Sequence, residues 1–190
     1  MLKKILIGTG LVLALQSNLY AQNNKYFSKT ANISFDAEGK LDDVEEIKAK
    51  TKAATCVYDE ATGAMEWAVN INSFVFASSL MQEHFNENYM ESSKFPKASF
   101  KGKVENFADI KLTTDGTYPA KVVGKLTMHG VTKDIATTGE MKVVKGEVTA
   151  ISNFEVALKD YNITIPTVVF MKVAENVKIS INAPLQILKK

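Results

Sequence analysis

Apolar and polar residues alternate with a period of two through most of the chain. Ala31, Ile33 and Phe35 alternate with polar neighbours. Ile47, Ala49, Thr51, Ala53, Thr55 and Val57 continue the pattern in a second segment. Trp67, Val69 and Ile71 form a third, and Ala98, Phe100 and Val104 a fourth. Val122, Leu126 and Met128 follow, then the run from Ile135 to Met141. Val148, Ala150, Phe154, Val156 and Leu158 come next, and Val177, Ile179, Ile181 and Ala183 end the series. Alternation of this kind predicts antiparallel strands with one face buried and one in water. Turn residues separate the runs at Glu38-Gly39-Lys40, Ala61-Thr62-Gly63, Asp115-Gly116 and Lys145-Gly146. The fold class is therefore all-β, with about eight strands. A sandwich or a closed barrel fits; closure removes the unpaired edges that so many strands would otherwise leave.

One segment departs from this period. Ser79 and Gln82 are spaced as a capping box, with Ser79 as N-cap. Met81, Phe85 and Tyr89 then recur every four residues and form one apolar stripe. Ser92-Ser93-Lys94-Phe95-Pro96 stops the helix near Glu91. A single helix is thus expected around 79–91, either as a lid across a barrel mouth or as a helix packed on the core.

The chain has 190 residues, enough for one domain. Its first residues read as an export leader: Lys3 and Lys4, then an uncharged run from Ile5 to Leu15, then a polar stretch ending at Ala21. The apolar run is shorter than the ~20 residues a spanning helix needs. Cleavage after Ala21 is expected, leaving 22–190 as the mature domain in the periplasm or outside the cell. The leader also changes the charge. The net charge of +2 rests on 23 basic residues, all of them Lys, against 21 acidic ones. Removing Lys3 and Lys4 leaves a neutral chain without Arg. A neutral surface argues against a nucleic-acid partner. The absence of Arg removes the usual bidentate clamp for phosphate or carboxylate. No stable membrane insertion is expected after cleavage, and a homodimer is compatible with the sequence.

Catalytic and metal signatures are sparse. His84 and His129 stand in no metal-binding spacing. His84 reads as a helix residue near the barrel mouth, and His129 as a turn residue whose ring bonds backbone. The one cysteine, Cys56, lies on an expected strand and reads as a small buried hydrophobe. It also excludes a disulfide framework. No nucleophile elbow or phosphate loop occurs. No cofactor and no metal is expected. Aromatic residues and Met are concentrated, however. Trp67, Phe74, Phe76, Met81, Phe85, Tyr89, Phe100, Met128, Phe154 and Phe170 are the candidate ligand-binding residues. Such side chains line a cavity for a long apolar ligand, or fill a closed core equally well.

Three stretches resemble one family. The first runs from Met81-Gln82-Glu83-His84-Phe85 through Ser92-Ser93-Lys94-Phe95-Pro96-Lys97-Ala98-Ser99-Phe100. The second is Gly124-Lys125-Leu126-Thr127-Met128-His129-Gly130-Val131-Thr132-Lys133, and the third is Phe154 to Ile163 with a terminal Val-x-Ile-x-Ile strand. They are similar to the YceI-like family of exported lipid-binding proteins, over about Lys25 to Pro184. The second stretch is the most specific. Many members carry an Arg before or within the helix and another after the late strand; this chain has none, and Lys159 and Lys172 are the nearest cations in the late region. The resemblance implies an extended, lipocalin-like antiparallel barrel holding a polyisoprenoid or similar amphiphile. On that basis a non-catalytic carrier of an isoprenoid or acyl lipid is expected. The alternatives are a small barrel enzyme using His84 or His129 as acid–base, and a solid-core envelope stress or interaction module.

Overall fold

The computed structural model describes residues 24–40, 47–167 and 171–189. The expected leader and its cleavage site lie outside these residues, as does Phe170. The strands are β1 (Lys25–Glu38), β2 (Lys48–Asp59), β3 (Ala64–Asn70), β4 (Val75–Phe76), β5 (Lys97–Val104), β6 (Gly116–Met128), β7 (Val131–Val144), β8 (Glu147–Ala157) and β9 (Val173–Ile187). Helix α1 (Ser79–His84) lies between β4 and β5. The order around the sheet is β1-β9-β8-β7-β6-β5-β3-β2, and β2 pairs back onto β1. All pairings are antiparallel. Eight long strands therefore close an up-and-down barrel, and the two-residue β4 adds alongside β2.

The hairpins follow from turn chemistry. His129 and Gly130 have φ of 51° and 73° between the paired residues Met128 and Val131. Lys145 and Gly146 have φ of 52° and 80° between Val144 and Glu147. Both are two-residue turns with two left-handed positions, whose twist suits the flanking strands.

Strand β2 departs from its expected phase. Ala49 and Thr51 point inward, but Ala54, Cys56 and Tyr58 are the buried residues thereafter. Ala53, Thr55 and Val57 face out, Val57 being 43% exposed. An extra β2 residue between the pairs Ile33–Thr51 and Ala31–Ala54 causes the switch. A compensating extra residue in β1 lies between Ser28 and Ala31. The buried hydroxyls at these bulges serve the disrupted backbone. Thr51 Oγ1 accepts from the Ala53 N–H at 3.1 Å, and Ser28 Oγ accepts from the Thr30 N–H at 3.4 Å.

The helical segment also differs from expectation. Ser78, not Ser79, is the N-cap, and its hydroxyl accepts from the Met81 N–H. Gln82 does not close a capping box: its Oε1 accepts from the Phe76 N–H at 3.4 Å. The α-helix ends at His84 and a wider π-turn follows over Phe85–Tyr89, closed by Met90 N–H on the Phe85 carbonyl at 2.9 Å. Met90 ends the segment, one residue before Glu91.

The barrel is filled at one end. Tyr58, Met65, Val104, Met141, Val143 and Leu185 pack together there, and Ile110 and Leu112 from the β5–β6 connection join them. Asn106 pins that connection: its Nδ2 donates to the Pro119 carbonyl and its Oδ1 accepts from the Lys121 N–H.

Candidate functional site

The opposite end is hollow. Strand β3 makes the opening by leaving its neighbour. Residues Ile71–Ser73 form a 3-10 turn, fixed by the Ser73 hydroxyl donating to the Asn70 carbonyl at 2.6 Å. Thr51 Oγ1 meets the same Ser73 hydroxyl at 2.9 Å. After this turn the chain resumes as β4 against β2, where Phe76 pairs with Ala49. It no longer accompanies β5, and α1 with its π-turn covers the resulting end of the barrel.

Beneath the helix four rings meet. Phe85 stacks on Phe35 at 5.3 Å between centroids and lies 5.2 Å from Phe76 and 5.9 Å from Phe74. Phe35 contacts Phe74 and Phe76 at 5.4 and 5.7 Å. A second cluster joins Ile71, Met90, Val156, Tyr161 and Ile163, with Tyr89, Met128 and Phe154 packed against it. Between these clusters and the solid end lies a cavity of about 400 Å³. That is within the ~300–1,000 Å³ range of small-molecule sites.

Nine of the sequence candidates line this cavity: Trp67, Phe74, Phe76, Met81, Phe85, Tyr89, Phe100, Met128 and Phe154. The stripe of Met81, Phe85 and Tyr89 thus faces the bore. Trp67 and Phe100 are directly paired across β3 and β5. Aliphatic residues complete the lining, among them Ile33, Val69, Leu126, Ile179 and Ile181. The candidate set, chosen for aromatic and Met content, omitted them. It also omitted Phe35, which touches all three other rings of the lid cluster. Their signal was the alternation itself, which already placed Ile33 and Phe35 on one face.

A notch in the wall seats Phe100. Gly102 and Gly124 are paired across β5 and β6. A Cβ on Gly124 would lie 2.5 Å from the Gly102 Cα and 2.7 Å from the Phe100 ring. The glycine pair leaves the space that the ring occupies.

Polar groups in the lining are few. The Ser152 hydroxyl donates to the Thr138 carbonyl at 2.8 Å, so it is satisfied within the wall. Burial pushes the Tyr89 hydroxyl above its ordinary pKa and keeps it neutral. His84, Glu140 and Lys172 are also among the lining residues. His84 Nδ1 lies 3.0 Å from Asn88 Nδ2. Lys172 immediately precedes β9, and its carbonyl accepts from the N–H of Gly39, the residue after β1. Exposed apolar side chains stand on the nearby elements: Val75 on β4, Leu80 on α1 and Met171 beside Lys172.

His129 does not line the cavity. Its Nδ1 is 3.0 Å from the Tyr161 carbonyl, as expected of a turn residue that bonds backbone, and its Nε2 is 2.9 Å from Glu91. Cys56 is 3% exposed, and burial raises its thiol pKa to about 12. It is a small buried hydrophobe without thiolate character. Among the described residues, no three of His, Cys, Asp and Glu cluster as metal ligands.

The YceI-like domain model matches residues 16–185. No curated protein matches the chain significantly. Solved structures share the fold at low identity. A polyisoprenoid binding domain from Saccharophagus degradans, implicated in plant cell wall breakdown, superposes with a TM-score of 0.73 at 13% identity, over 88% of this chain and 100% of that one. BcnA of Burkholderia cenocepacia gives 0.64 at 14% identity, over 82% and 96%. The YCEI protein of Campylobacter jejuni gives 0.59 at 18% identity, over 80% and 90%. With nearly the whole chain matched and the barrel shared, the protein belongs to the YceI-like family.

Proposed function

We propose that the protein is an exported, non-catalytic binding protein that shelters the chain of a polyisoprenoid or fatty-acyl amphiphile in its barrel. The observation that carries this reading is the cavity of about 400 Å³ beneath α1, lined almost wholly by apolar side chains. Each buried methylene is worth roughly 0.8 kcal/mol, so a chain binds there without a charged clamp. The relative from Saccharophagus degradans, described as a polyisoprenoid binding domain, supports the same ligand class. The basic and then apolar first residues support export. Release into an aqueous compartment suits a carrier that withdraws a lipid from water.

Native mass spectrometry of the protein purified without detergent tests the reading. A co-purified isoprenoid or acyl lipid is expected. A clean ligand-free mass, together with no binding of prenyl alcohols or fatty acids, overturns it.

A further inference from the structure

Met65 and Met141 belong to both halves of the barrel at once. They are 6% and 1% exposed, pack into the solid end and also face the cavity. Ala120 and Ala150 do the same from neighbouring strands. Tyr58, Val104 and Val143 stand behind them in the core and do not line the cavity. Ile110 and Leu112 close that end further. The bore is therefore blind.

Its two ends differ in chemistry. Lys172, His84 and the exposed Leu80 stand on the elements around the mouth. The four floor residues carry no titratable side chain; Glu140, which also borders the cavity, precedes Met141 on β7 and is partly exposed where Met141 is buried. A polar or charged head cannot be buried there without a large desolvation cost, whereas a methyl terminus can. An amphiphile must therefore enter tail first and leave its head at the rim.

We infer that Met65 and Met141 form a floor that sets the longest apolar chain the barrel houses. This inference rests on the lipid-binding reading and adds a length limit to it. From Val156 near the mouth down to Ala150 at the floor, a rise of about 3.4 Å per residue along strands tilted ~40° gives a depth of roughly 15 Å, or about a dozen methylenes of a straight chain. Methionine suits such a floor, because its flexible thioether fills irregular space against a mobile chain end.

The test is a calorimetric titration of the delipidated full chain with straight-chain fatty acids from octanoate to eicosanoate, each below its micellar concentration. Affinity is expected to rise about fourfold per methylene until the methyl end meets the floor, and to stop rising beyond it. Met141→Ala is expected to move that break to longer chains, and Ala150→Leu to shorter ones. Met65→Ala replaces Met141→Ala if the latter does not melt as a folded protein. Binding without a break, or a break that stays in place in folded variants, overturns the floor and leaves the lipid reading standing. No binding of any chain overturns both.

Discussion

The carboxylate of Glu91 and the imidazole of His129 meet at 2.9 Å, where the lid segment ends and the β6–β7 hairpin turns. The other ring nitrogen faces the Tyr161 carbonyl at 3.0 Å, and the ring packs edge-on against Phe95 at 4.7 Å. Both ring nitrogens thus face oxygen atoms. The side chain is 9% exposed. One histidine ties three separate segments at the mouth end of the barrel: the exit of the lid, the hairpin and the chain after β8.

Loss of this tie is expected to destabilise the fold without touching the cavity lining. His129→Asn keeps a residue that tolerates the left-handed backbone but removes the bridge. It should cost about 1–2 kcal/mol in urea unfolding. Gly130→Ala should cost more, because φ is 73° and the added Cβ would lie 2.6 Å from the Phe95 ring.

Gly124→Ala is expected to act on the cavity from the wall. The new methyl would lie 2.5 Å from the Gly102 Cα and from the Lys101 carbonyl oxygen and 2.7 Å from the Phe100 ring, so both the β5 backbone and the ring must shift. Overpacking of this kind costs about 1–3 kcal/mol. The ring moves more readily than the backbone, so its displacement into the bore should also weaken binding of a bulky lipid. Thermal melting and ligand titration of the same variant separate the two effects.

Stability should fall as the solution becomes strongly alkaline. The native protein holds the Cys56 proton up to about 12, whereas the free thiol releases it near 9.0. Between those values the unfolded chain binds fewer protons, so stability declines as pH rises through the window. Tyr58, raised from 10.0 to about 12 mainly by burial, adds to the decline in its upper part. Cys56→Ala should flatten the lower part of the slope in urea titrations, and the native thiol should resist alkylation at neutral pH.

Phe85→Ala should loosen the lid. Its ring touches Phe35, Phe74 and Phe76 at once but is only half-buried. The expected cost is about 2 kcal/mol, below the ~3–5 kcal/mol of a fully buried ring. Ligand release should accelerate. Trp67, the single tryptophan, lines the cavity and reports this directly by stopped-flow fluorescence.

The strands were legible in the sequence because their signal is local. Each inward residue of β7 or β9 contrasts with its own neighbours, and X-Gly pairs mark the tight turns. The switch in β2 left no such trace. Lys52, Ala53 and Ala54 offer one small apolar residue for either face, so the extra residue is visible only in the pairing with β1. The π-turn was hidden for a related reason: a four-residue spacing of Met81, Phe85 and Tyr89 fits an α-helix as well as its widened continuation. Phe35 was legible as an inward residue but not as a lid contact, which depends on how β4 and α1 fold over it. Whether the interior is hollow or full is a sum over all eight strands. No local pattern in Met65 or Met141 distinguishes a core residue from one at the edge of a void.

The division of the barrel into a packed half and an open half has a consequence for how the protein tolerates change. Tyr58, Val104 and Val143, all 1% exposed or less, hold the closed end together and have no part in the cavity surface. Substitutions near the mouth therefore alter what fits inside while the nucleus of tight packing stays intact. The same barrel is kept in solved structures that share only 13–18% of their residues with this chain.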